Sequence, residues 1–120
     1  MKNYYKITPE GTKDLLFEEC TARNKVTHMI TSVFESKGYH QVITPGLEFF
    51  DAFTLKSGGI QQEDMYKLTD NKGRLLVLRP DSTLPIARMA AIRLQKEARP
   101  IRLYYNQPVY RNRPALTGHS

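Results

Sequence analysis

The spacing of apolar positions changes several times along this chain. Between Lys13 and Lys37, Ala22, Val26, Met29, Ile30 and Val33 recur on one helical face, with Glu, Lys, Arg and Thr between them. That spacing predicts a long amphipathic helix, and Gly38 directly after it can take the left-handed conformation that ends one. His28, beside the stripe, reads as a partly exposed helix residue. Val42, Ile43 and Thr44 form a β-branched run halted by Pro45, which predicts a strand ending in an extended step. From Ala52 to Glu63 the text is polar and holds glycines, so a loop with one helical turn is expected.

Two strand-like runs follow, Met65 to Thr69 and Arg74 to Leu78, around Asp70, Asn71, Lys72 and Gly73. They predict a hairpin. The second run is apolar at nearly every position, which predicts a strand buried on both faces, closed by Pro80. Ala87, Ala90, Ala91 and Leu94 then mark a second amphipathic helix to about Lys96. Pro100 breaks the chain, and "IRLYYNQPVYRNR" reads as two extended pieces kinked at Pro108. The order predicts an α+β fold, a mainly antiparallel sheet flanked by helices. The tail "RPALTGHS" has turn residues and no closing element, so the chain is expected to stop inside a loop.

Composition narrows the function classes. The 120 residues amount to one domain or part of one, with 40% hydrophobic and 25% charged residues. No apolar run approaches membrane-spanning length, and "MKNYYKITPEG" lacks the apolar core of a signal peptide. Cys20 is the single cysteine, which excludes an intrachain disulfide or a cysteine-based zinc site and fits a reducing cytoplasm. The net charge of +6 permits contact with phosphates without proving it, and the bases are scattered. A basic α+β module binding nucleic acid is one alternative, but Tyr104, Tyr105 and Tyr110 follow strand periodicity poorly as an exposed stacking platform and read as core or dimer residues.

Candidate chemistry concentrates in "LRPDSTLPIAR", Leu78 to Arg88. Asp81 or Ser82 can cap the second helix, with Pro85 in its first turn. The Asp81 carboxylate and the Thr83 hydroxyl can equally accept hydrogen bonds from a ligand's ammonium group. The two roles are compatible.

Several stretches together resemble the class II aminoacyl-tRNA synthetase core in its histidyl branch. "GTKDLL" leads into the long helix as in that family, and "GYHQVITPGLE" resembles motif 1, over about residues 26–48. "DMYKLTDNKGRLLVLRPDST" is similar to the segment that ends in "LRPEGT", and "RLYYNQPVYR" to the start of motif 2, about residues 101–120. The resemblance implies the N-terminal part of such a core, about half of it, with motif 3 absent and Pro45 at a twofold dimer interface. It also implies an amino-acid site at Asp81, Ser82 and Thr83, and a phosphate or carboxylate contact at Arg111.

The family has two branches. Histidyl-tRNA synthetases use ATP, magnesium and tRNA. Their paralogue, the regulatory subunit of ATP phosphoribosyltransferase, needs no cofactor and pairs with a catalytic subunit in the first step of histidine biosynthesis. It contributes to feedback inhibition by histidine. "PDSTLPIAR" resembles the regulatory form. In ungapped register with Gly118 on the family's loop glycine, Arg113 stands where the synthetases carry a glutamate, and His119 where they carry an arginine. "PDSTLPIAR" and Arg113 favour the non-catalytic branch, for which the resemblance implies histidine as ligand and a homodimer inside a larger hetero-oligomer. The alternative is the N-terminal part of a histidyl-tRNA synthetase.

Overall fold

The computed structural model describes residues 3–54, 60–98 and 100–113. The chain divides into two compact units, one ending at Gly38 and the other running from Tyr39 to Arg113. In the first, Thr8 and Thr12 close a turn on Pro9, with Gly11 at positive φ. Helix α1 spans Glu18–Ser36. It begins five residues later than the apolar spacing predicts. Phe17 is the cause: its φ of 45° cannot continue a right-handed helix, and a non-glycine residue seldom adopts it. Glu18 and Glu19 then occupy the first turn, where carboxylates complement the helix dipole. Gly38, at φ 82°, stops the helix as expected, its N–H bonded to the Glu35 carbonyl. The apolar stripe Val26, Met29, Ile30 and Val33 is exposed. Cys20 is half-buried and its thiol donates to the Leu15 carbonyl, a packing role.

In the second unit, β1 is His40–Gln41, shifted ahead of the predicted β-branched run. The run still contributes, because the Val42 N–H donates to the Tyr104 carbonyl. Strand β2, Leu47–Phe49, was not expected from the spacing, and the short helix α2, Asp51–Thr54, fills part of the predicted loop. Residues 55–59 of that loop lie outside the described residues. The hairpin forms as predicted, with β3 at Lys67–Thr69 and β4 at Leu75–Leu78. Helix α3 is Thr83–Arg93, and β5 is Leu103–Tyr104.

The strands form an antiparallel sheet in the order β2-β4-β3 and a parallel pair of β1 with β5. Register pairs Glu48 and Lys67 with Val77, and Phe49 and Leu68 with Leu76. Side chains alternate across a strand, so these two sets lie on opposite faces. The Val77 face carries the core, in which Phe53, Met65 and Val77 are buried and Phe50, Ile60 and Leu84 pack around them. The other face presents Leu47, Phe49 and Leu68, and all three are exposed. Only one face of β4 is therefore closed among the described residues, where the apolar run predicted two.

The hairpin turn is fixed by Asp70. Its Oδ1 accepts the backbone N–H groups of Lys72 and Arg74, and its Oδ2 pairs with Arg74 Nε at 2.7 Å. The Arg74 N–H first, then its guanidinium and the Lys72 N–H, hold the Asp70 carboxyl below its ordinary value. Gly73, at φ 75°, completes the reversal.

Candidate functional site

The site is assembled where β4 ends. The Arg79 N–H extends the β2–β4 ladder to the Gly46 carbonyl at 2.9 Å, and its own carbonyl accepts from the Tyr110 N–H at 3.0 Å. Its side chain turns inward and is 6% exposed. Nε donates to the Pro108 carbonyl at 2.6 Å and Nη1 to the Thr44 carbonyl at 2.7 Å. One guanidinium thus joins three separate chain segments, a geometry its planar fork of donors suits.

Pro80 follows, fully buried, and then the "DST" turn. Asp81 caps α3: its Oδ2 accepts the Leu84 N–H at 3.0 Å. Pro85 lies in the first turn, buried, where its missing N–H costs nothing. Asp81 is half-buried, and its Oδ1 has no partner among the described residues. Thr83 is exposed. The Ser82 side chain makes no capping bond. It is 3% exposed, and its hydroxyl accepts from Gln107 Nε2 at 3.0 Å. Arg111 Nε donates to the Pro80 carbonyl at 2.7 Å, and no terminal nitrogen of its guanidinium has a partner among the described residues.

The sequence-predicted residues therefore gather around one turn. Asp81, Ser82 and Thr83 form it, Arg111 holds its first carbonyl, and exposed Pro45 follows Thr44, which Gln107 joins to Ser82. Asp81 keeps an open carboxylate oxygen, Thr83 is exposed, and Arg111, bonded to the Pro80 carbonyl, keeps free terminal donors. That set can take up a group with an ammonium on one side and an anion on the other. Arg113, at the position expected to hold an acid, pairs with Asp64 Oδ2 at 3.4 Å, and the Asn112 N–H bonds the Asp64 carbonyl. Gly118 and His119 lie outside the described residues.

Three residues of this cluster were missed by sequence reasoning: Thr44, Arg79 and Gln107. A charged residue ending the apolar run "LLVLR" was the available signal for Arg79. Elsewhere, Arg88 Nη2 pairs with the buried Glu48 carboxylate at 3.1 Å, and clefts of about 520 and 400 Å³ adjoin that pair. Neither of these clefts is lined by Asp81, Ser82, Thr83 or Arg111. No group of three or more His, Cys, Asp or Glu side chains among the described residues could hold a metal ion. No helix among them is long and apolar enough to cross a membrane.

With this geometry in place, comparison with known proteins identifies the family. A family profile described as histidyl-tRNA synthetase matches residues 11–120, nearly the whole chain. The chain belongs to the histidyl-tRNA synthetase family. Within this family, it is 47% identical over 118 residues to a protein of Clostridium acetobutylicum named ATP phosphoribosyltransferase regulatory subunit. That match covers 98% of the chain and 29% of the relative. A Bacillus halodurans crystal structure described as ATP phosphoribosyltransferase regulatory subunit/histidyl-tRNA synthetase superposes with TM-score 0.80 at 36% identity. It covers 92% of the chain and 29% of that protein. The apo histidyl-tRNA synthetase of S. aureus gives 0.74 at 27% identity, over 88% of the chain and 29% of the synthetase. The chain thus spans less than a third of the length of these relatives. The fold is that of the N-terminal part of a histidyl-tRNA synthetase-like class II core, as the sequence resemblance implies.

Proposed function

We propose that this chain is the synthetase-like part of a regulatory subunit of ATP phosphoribosyltransferase, non-catalytic, that binds histidine and acts on a separate catalytic subunit. The observation that carries the reading is the identity of 39–47% over 118 residues to several proteins of that name. The pairing of Arg113 with Asp64 supports it, because the position expected to hold a synthetase glutamate carries a base engaged with a neighbouring acid. In this reading the protein works in the cytoplasm, without cofactor, in the first step of histidine biosynthesis. Asp81 and Thr83 receive the histidine ammonium, Ser82 orients their turn, and Arg111 faces the carboxylate. The catalytic subunit is the protein partner. Two copies of the chain meet about a twofold axis near Pro45, which sedimentation of the full-length protein reads as a dimer.

A second reading, the N-terminal part of a histidyl-tRNA synthetase with ATP, magnesium and tRNA, is favoured by one finding, the 0.74 TM-score to the S. aureus enzyme. Histidine-dependent exchange of pyrophosphate into ATP separates the two. The full-length protein is expected to show no exchange, and exchange above background would replace the first reading with the second.

A further inference from the structure

Gln107 is half-buried one residue before Pro108. Its Oε1 accepts the Thr44 N–H at 3.0 Å, and its Nε2 donates to Thr44 Oγ1 at 2.8 Å and to Ser82 Oγ at 3.0 Å. An amide with its oxygen and two donor bonds engaged has one orientation. Ser82 has no other side-chain partner among the described residues, so Gln107 fixes its hydroxyl. The Ser82 carbonyl meanwhile accepts the Ile86 N–H, the first bond of α3. A residue held at both its side chain and its carbonyl leaves little freedom to Asp81 and Thr83 on either side. Gln107 makes no hydrogen bond to either of them among the described residues, and both keep open acceptors.

We propose that Gln107 is a positioning residue for the amino-acid site, aiming Asp81 and Thr83 through Ser82 and tying that turn to the Thr44 segment. The proposal rests on the histidine-binding reading above. A support of this kind matters because a binding constellation that is loosely held loses affinity even when its contact residues are intact. The linkage also runs through one side chain to Thr44, the residue preceding Pro45.

The test is histidine titration by calorimetry on the full-length protein in complex with its catalytic subunit, with a thermal melt of each variant. Gln107→Leu removes all three bonds and is expected to weaken histidine binding about tenfold, the scale of one lost buried hydrogen bond. Gln107→Glu keeps an acceptor for the Thr44 N–H, and the two hydroxyls rotate to donate, so it restores affinity to within about twofold. Ser82→Ala reproduces the loss, and adding it to Gln107→Leu weakens binding no further, the mark of one shared interaction. Should Gln107→Leu not fold, Ser82→Ala and Gln107→Glu carry the comparison. Wild-type affinity in both Gln107→Leu and Ser82→Ala, with only the melting temperature lowered, overturns the positioning role and leaves the histidine site standing. Absence of histidine binding in the wild type removes the site reading and this inference with it.

Discussion

Arg79 offers the sharpest test of how the site is held. Its guanidinium is buried, lies within 4.0 Å of no carboxylate among the described residues, and donates to the Thr44 and Pro108 carbonyls. Hydrogen bonds from a charged donor contribute about 1.5–3 kcal/mol each, so the pair is worth roughly 3–6 kcal/mol. Replacement by Met relieves the cost of burying a cation, several kcal/mol in general, and leaves the buried Thr44 carbonyl without a donor at about 1–3 kcal/mol. The net expectation for Arg79→Met is a local destabilisation of about 3 kcal/mol. Lysine keeps the charge but brings one compact donor group to two acceptors, so Arg79→Lys is expected to lose about half as much. Native-state hydrogen exchange on the full-length protein reads this locally. Protection of the Val42 and Tyr110 amides, bonded to Tyr104 and Arg79 carbonyls, should fall about a hundredfold in Arg79→Met. The Asp70 amide, bonded within the hairpin turn, should change little. Unchanged protection at Val42 and Tyr110 would refute the idea that Arg79 clamps these segments.

Other expectations follow from the same contacts. Asp81→Asn keeps an oxygen for the Leu84 N–H, so the melt should hold while calorimetry shows histidine binding weakened about tenfold by the missing charge. An unchanged affinity would reduce "PDST" to a helix start. Phe53→Ala, in the core at 1% exposure, should cost about 3–5 kcal/mol in denaturant unfolding. Because the folded Asp70 carboxyl lies below its ordinary value of 3.8, its contribution is complete above that value. It is lost as pH falls through the lowered folded value. NMR of the hairpin should therefore show a loosening in acid that Asp70→Asn abolishes, and a variant that still loosens would assign it elsewhere.

What was legible in the sequence is what depends on neighbours along the chain. The hairpin could be read because its turn is an Asx motif contained in Asp70 to Arg74. Helix α3 could be read because its cap, its proline and its first turn are consecutive. Strand β2 escaped because "LEF" alternates over only three residues, and its pairing with Leu76 to Leu78 is settled by the sheet. The start of α1 escaped because nothing in the letters marks Phe17 for positive φ. Within the site, the capping role of Asp81 was legible from its chemistry and its place in the chain, but the support of that turn was not. Gln107 meets Ser82 from 25 residues away and Thr44 from 63, and no local pattern records such contacts.

The central claim is that this protein regulates a catalytic subunit instead of catalysing a reaction of its own. Phosphoribosyl transfer to ATP should be measured with the catalytic subunit alone, the full-length protein alone, and the two mixed, each with and without histidine. Turnover should depend on mixing and fall on addition of histidine. A catalytic subunit indifferent both to the protein and to histidine in its presence would contradict the claim.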